Sequence, residues 1–259
     1  MVSDLFAEER GNPKDRTLVF LHGLLGSSRN WRSVTKEISS EFHTLSFDLP
    51  NHGKSPHHPD STVQKMADLI HAEITQRGRS QFSLCGHSLG GKVAMRMACD
   101  DPASVDQLVV VDIAPRDYPP EHHLPTLQAL LDLDLSLLSS RKEADEALSE
   151  QIPSWGFRQF LLTNLEVKDN RLFWLPSLTD LKDSIGSLSS NPLASGDQFE
   201  GDTLFVCGGK SGYVRTEHRP SIEQYFPGAK LITLPKAGHD VHVEDRGGFL
   251  GHLQNFLRG

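Results

Sequence analysis

The chain has 259 residues, of which 37% are hydrophobic and 23% charged; this is enough apolar material for a packed core and excludes a disordered polymer. With 26 Lys+Arg against 34 Asp+Glu, the formal net charge is −8, which argues against nucleic acid or an anionic membrane surface as a partner. Three cysteines, Cys85, Cys99 and Cys207, form no C-x-x-C pair and read as small thiols of a reducing compartment rather than a disulfide framework.

In chain order, residues 1–16 are polar and carry neither an apolar nor an arginine-rich targeting pattern, so the chain reads as cytoplasmic. No run of about 18 apolar residues suggests a membrane span. Leu18-Val19-Phe20-Leu21 is a short strand ended by His22-Gly23, and residues 29–39 follow with helical spacing. Residues 43–48 predict a strand and 62–77 a helix, with Val63, Met66, Leu69, Ile70 and Ile74 on one stripe. Residues 81–85 predict a strand, 89–99 a helix and 108–111 a continuous apolar strand. Such alternation, with strands apolar throughout, implies a parallel sheet covered on both faces.

The rhythm breaks at Ala114-Pro115. From there to about residue 200 the patterns are helical without strong strands: 124–138 is Leu-rich, 141–150 amphipathic, and 177–188 helical. Alternation resumes with strands at 203–207 and 230–234 and helices at 220–226 and 246–258. The expected organisation is a core formed by 1–113 and 201–259, with a helical cap inserted at 114–200.

The most informative stretch is Gly86-His87-Ser88-Leu89-Gly90, a G-x-S-x-G between a predicted strand and a predicted helix. A sharp turn there holds a serine at the sheet edge, and the following helix places the Leu89 N–H beside developing negative charge. Gly86, Gly91 and Lys92 also satisfy the phosphate-loop pattern G-x-x-x-x-G-K, but Val93 stands where a Ser or Thr must hold magnesium. His22-Gly23-Leu24-Leu25-Gly26-Ser27, after the first clear strand, can supply a second oxyanion donor, the Leu24 N–H. Ala237-Gly238-His239-Asp240-Val241-His242 follows the last strand and makes His239 the candidate base. His242 reads as a packing residue, and a His239/His242 metal pair lacks a third ligand. The acid is assigned to Asp112, at the end of strand 109–111, because the loop 208–212 carries no carboxylate. Asp112 could instead anchor the start of the insertion.

These motifs resemble an α/β-hydrolase, and more narrowly the bacterial YbfF-type esterases and their mitochondrial eukaryotic relatives. The matching pieces are the segments 20–27, Asp48-Leu49-Pro50-Asn51-His52-Gly53-Lys54-Ser55-Pro56, 86–95, Val111-Asp112-Ile113-Ala114-Pro115, Gly208-Gly209-Lys210-Ser211 and Ala237-Gly238-His239. The insertion is weakly matched. The resemblance implies an α/β fold with a mostly parallel sheet of eight (or seven) strands, its first strand missing or very short, under a helical cap. It supports Asp112 as the acid, since Ser211 fills the usual acid position. It implies a serine esterase or thioesterase with no metal or organic cofactor, whose partner is a small acyl ester or thioester, acyl-CoA included.

The expected chemistry is attack by Ser88, proton transfer to His239, orientation by Asp112 and oxyanion binding at Leu24 and Leu89. Rival readings are a triad-retaining small-molecule receptor and a C–C hydrolase or perhydrolase on the same fold. Leu124, Leu127, Leu130, Leu131, Trp155, Phe157, Phe160 and Trp174 are candidates for an acyl pocket, with most of them expected in the cap's own core. The oligomeric state is open.

Overall fold

In a computed structural model, residues 5–59 and 61–259 are described; residues 1–4, the head of the stretch read for a targeting pattern, and Asp60 lie outside the described residues. The strands are β1 (Ala7–Arg10), β2 (Thr17–Leu21), β3 (His43–Phe47), β4 (Phe82–His87), β5 (Val105–Val111), β6 (Leu165–Lys168), β7 (Arg171–Trp174), β8 (Asp202–Gly208) and β9 (Lys230–Leu234). The helices are α1 (Arg32–Ile38), α2 (Val63–Gln76), α3 (Leu89–Asp100), α4 (Leu124–Asp132), α5 (Arg141–Leu148), α6 (Trp155–Leu162), α7 (Leu178–Asp183), α8 (Ile185–Ser189), α9 (Arg219–Tyr225), α10 (Val241–Glu244) and α11 (Arg246–Leu257).

Seven strands form one sheet in the order β1-β3-β2-β4-β5-β8-β9. All neighbours are parallel except β1, which runs antiparallel to β3. The sheet therefore has seven strands and opens on a four-residue strand, Ala-Glu-Glu-Arg. Its charge is what an exposed sheet edge tolerates. Inside the sheet, β2 and β3 are buried at every position, as strands covered on both faces must be. On one face Phe20, Cys85, Val109 and Val206 pack with Trp31 and Val34 near α1 and with Phe249 and Leu253 of α11. On the other, Val19, Leu84 and Val110 meet Met66 and Ile70 of α2 and Val93 of α3, and this core continues into the insertion through Leu127 and Leu161.

The order of pairing decides where a ligand can sit. The chain leaves β2 towards β3 on one side and returns to β4 on the other, so the β2–β4 boundary is a topological switch point, where the connecting loops diverge and leave a crevice at the carboxyl ends. The loop 22–27 and the turn at Ser88 flank that crevice.

Between β5 and β8 the chain is not purely helical, as its pattern suggested. β6 and β7 form an antiparallel hairpin with Lys168 opposite Arg171. The intervening Asp169 and Asn170 have φ of 50° and 59°, the two-residue type I′ turn that Asp and Asn accept at low cost. Asp-Asn between Val167-Lys168 and Arg171-Leu172 was a readable hairpin signal hidden by the Leu-rich helices around it. The expected helix over 124–138 stops at Asp132, and Asp134 instead caps a short 3-10 turn through its bond from the Ser136 N–H. The helix expected over 177–188 is broken at Ser184 into α7 and α8. Among the described residues no helix is long and apolar enough to cross a membrane.

The turn from β4 into α3 depends on two glycines. A Cβ on Gly86 would lie 2.2 Å from the Gly90 carbonyl oxygen, and one on Gly90 would lie 2.3 Å from that of Leu21. Backbone cannot retreat from such contacts without opening the β2–β4 crevice. Gly90→Ala should therefore destabilise the fold by about 1–3 kcal/mol, the usual cost of overpacking, read as a lowered thermal midpoint. An unchanged midpoint would contradict the tight packing of this turn.

Candidate active site

Ser88 sits at the apex of that turn with φ 52° and ψ −117°, a conformation that costs a non-glycine residue of order 1–3 kcal/mol. Two hydrogen bonds hold it: the Ser88 N–H donates to the Val111 carbonyl at 3.1 Å, and the Gly90 N–H donates to the His22 carbonyl at 3.0 Å. The second bond fastens the loop after β2 to the first turn of α3. Leu24, in that loop, and Leu89, first in α3, border the same cleft as Ser88. Neither backbone N–H has a hydrogen-bond partner among the described residues. Two free donors at a helix start and an adjacent turn are what an oxyanion requires.

Asp112 follows β5 and is fully buried with φ 51°. A buried carboxylate must be paired and hydrogen-bonded, and this one is saturated. Its Oδ1 accepts from the Gly208 N–H at 2.9 Å; its Oδ2 accepts from the Ser211 hydroxyl and from His239 Nδ1 at 2.8 Å. The carboxylate thus fixes Nδ1 as the protonated nitrogen of His239 and leaves Nε2 as an acceptor. The Tyr213 ring stacks on the imidazole with centroids 3.9 Å apart and planes 18° apart. Tyr213 is itself held by its N–H bonded to the Ser211 hydroxyl oxygen at 3.1 Å and by its carbonyl, which accepts from the Tyr118 hydroxyl at 2.9 Å. Ser88 and His239 face one cleft, so β4, β5 and β9 deliver the three side chains to one sheet edge.

Around this core lie further histidines. His87 donates from Nε2 to the His239 carbonyl at 2.9 Å and fixes that loop against the turn. His242, read as a packing residue, stacks on Trp31 with centroids 4.3 Å apart. His22 accepts from the Leu49 N–H at 3.0 Å and donates from Nδ1 to the Gly23 carbonyl at 2.8 Å, so the β2 loop is braced from within. Asn164 of the insertion donates to the Leu25 carbonyl at 2.7 Å, which ties that loop to the segment above it. Asn51, at φ 66°, donates to the His58 carbonyl and the Ser61 hydroxyl, and its own carbonyl accepts from the Ser177 N–H at 3.0 Å.

The cleft has two lobes that meet at Ser88. One, about 350 Å³ with its open mouth included, is narrow and mainly apolar, with Leu24, Leu89, Ile113, Tyr118, Ile185 and Leu188. The other encloses about 860 Å³ with its open mouth and carries Asn30, His122, Asp240, Phe157 and Phe160. Of the eight apolar residues proposed for an acyl pocket, Phe157 and Phe160 border the cleft; Leu127 and Leu130 are buried in the core. The apolar wall came instead from the short helix α8 and from Ile113, where the Leu-rich pattern gave no signal. Lys92, the residue of the phosphate-loop pattern, donates to the carbonyls of Leu188, Ser189 and Ser190 at 3.3, 2.6 and 2.7 Å. Burial lowers its pKa to about 7, and its ammonium caps the C-terminus of α8. Lys54 lies over the Phe6 ring and Arg116 over the Tyr118 ring.

The sheet, the serine turn and the loop constellation define an α/β-hydrolase. The model of that family, described as alpha/beta hydrolase fold, matches residues 16–246, and the chain belongs to it. The mouse (Mus musculus) sn-1-specific diacylglycerol lipase ABHD11 is 36% identical over 247 residues, covering 93% of this chain and 80% of that protein. Esterase YbfF of Escherichia coli K12 is 28% identical over 240 residues, covering 93% and 92%. A solved structure described as a marine microorganism esterase superposes with a TM-score of 0.94 at 33% identity, covering 98% of this chain and 99% of that one. The protein is thus a hydrolase of the YbfF type with eukaryotic relatives, in the esterase and lipase branch of the family.

The buried histidines set an acid limit. Burial pushes His22 down to about 4 and His52 and His242 to about 3, and drives His87 well below its ordinary value near 6.5. Folded, these rings stay neutral where the unfolded chain takes up protons. Their contribution is complete above pH 6.5 and is lost as pH falls towards 4, by up to about 1.4 kcal/mol per pH unit for each ring. The thermal midpoint should drop clearly between pH 7.5 and pH 5. Equal midpoints would contradict neutral burial.

Proposed function

We propose that this protein hydrolyses neutral carboxylic esters through an acyl-enzyme on Ser88. The carrying observation is the bond from His239 Nδ1 to the buried, triply hydrogen-bonded Asp112, which presets the imidazole tautomer needed to take a proton at Nε2. Ser88 attacks the carbonyl as His239 removes its proton, and the Leu24 and Leu89 N–H groups receive the oxyanion. His239 then protonates the departing alcohol. Water, activated by the same imidazole, releases the acid. Each step conserves charge without a metal or organic cofactor.

Residues 114–200 act as a cap over residues 1–113 and 201–259, and three unpaired thiols fit the cytoplasmic setting read from the sequence. The narrow lobe takes the acyl chain and the wider lobe the alcohol. A neutral ester is favoured over acyl-CoA because the cation in the cleft, Lys92, spends its ammonium on three carbonyls.

The test is steady-state hydrolysis of p-nitrophenyl esters from acetyl to palmitoyl by the wild type, Ser88→Ala and Asp112→Asn. Turnover should vanish in Ser88→Ala. Asp112→Asn should remain folded and lose up to about 10⁴ in kcat. A loss below tenfold would assign the acid elsewhere. A receptor would bind these esters without steady-state turnover.

A further inference from the structure

The cap contributes one titratable side chain that borders both lobes of the cleft. His123 borders the narrow lobe, as Ser88 does, and again the wide one. Its backbone is fixed: its N–H donates to the Pro120 carbonyl at 3.0 Å, and its carbonyl accepts from the Leu127 N–H at 3.0 Å. Pro119, Pro120 and Pro125 stiffen the chain around it. The imidazole, by contrast, has no hydrogen-bond partner among the described residues, although it is half-buried. Of the other histidine rings bordering the cleft, His87 holds the His239 loop, His239 bonds Asp112 and His242 stacks on Trp31, while His122 borders the wide lobe alone. The His123 ring borders the open cleft, where a ligand or water can take up its hydrogen bonds.

The charge state of this ring narrows what it can bind. Burial, reinforced by the neighbouring His122, His239 and Lys92, lowers its pKa to about 4. Around neutral pH it is therefore an uncharged imidazole with one N–H and one lone pair. Such a ring suits a hydroxyl, which donates and accepts in turn; it does not suit a carboxylate or phosphate, which need a cation. Both lobes meet at Ser88 and His123 borders both, so a group bonded to it stands close to the scissile ester.

We propose that His123 is a specificity-determining residue that hydrogen-bonds a free hydroxyl on the alcohol half of the ester, next to the ester oxygen. This rests on the esterase reading and on the alcohol occupying the wide lobe. The substrate class is then a β-hydroxyalkyl ester rather than a simple alkyl ester.

The test compares kcat/KM for 2-hydroxyethyl butyrate and ethyl butyrate, which differ only in that hydroxyl. The wild type should favour the hydroxy ester by about three- to tenfold, the usual net worth of one hydrogen bond. In His123→Phe the ratio should fall to near one, and in His123→Gln, which keeps a donor and an acceptor, it should largely return. The ratio is the readout, so a general loss of rate on both esters cancels. Should the phenyl ring prevent folding, His123→Leu makes the same deletion in a smaller volume. A ratio equal in wild type and the apolar variant overturns the role of His123. No Ser88-dependent turnover of either ester from folded protein overturns instead the esterase reading beneath it.

Discussion

The left-handed backbone at Ser88 is the constraint on which the site depends. It persists because Gly86 of β4 lies against the first turn of α3, and Gly90 of α3 against the end of β2, too closely for a Cβ at either. It also needs the hydrogen bonds that tie Ser88 to β5 and Gly90 to the loop after β2. Those contacts are backbone contacts among β2, β4, β5 and the start of α3. Strain at the turn is thus balanced by packing spread over three central strands. The same geometry leaves the Leu89 N–H unbonded at the start of α3 and brings the Leu24 loop alongside it.

The second buried constraint is Asp112. Its positive φ turns the chain out of β5 at the point where the insertion begins, so one residue both exits the sheet and organises His239. The two roles weighed for it in the sequence, acid and anchor of the insertion, are therefore geometrically compatible. Its fixed partners, Gly208 and Ser211, come from the loop after β8. That loop lacks a carboxylate but supplies donors that hold one. Tyr213, two residues further, reaches the outer face of the imidazole. Above the sheet, Lys92 and Arg96 on α3 grip the end of the insertion through the carbonyls after α8 and through Asp197. The helix that starts at the serine thereby also anchors the cap.

The core alternation was legible because short strands such as Leu18–Leu21 and Leu108–Val111 are apolar runs alternating with helical patterns, and because G-x-S-x-G carries its own steric logic. Ser88, His239 and Asp112 could be placed because all three follow strands that end at one sheet edge. The insertion was harder to read. Its apolar residues serve two surfaces, its own core and the cleft, and period alone does not distinguish them; hence Leu127 and Leu130 turned out to be core while Ile185 and Leu188 line the cleft. The β6–β7 hairpin was carried by two turn residues inside a Leu-rich context. Tyr213 and His123 had no motif at all: their positions follow from loop geometry set by distant contacts. Lys92 was visible in the phosphate-loop coincidence and in the segment 86–95, but its role was not, since its three acceptors lie roughly a hundred residues away.

The account centres on covalent chemistry at Ser88, and trapping the intermediate tests it most directly. The protein is mixed with p-nitrophenyl acetate, quenched in acid within the first turnovers, digested, and its peptides weighed by mass spectrometry. The account predicts an added acetyl group on the peptide containing Ser88, seen in the wild type and absent in Ser88→Ala. Full ester turnover by Ser88→Ala, or acetylation confined to another residue, would contradict it.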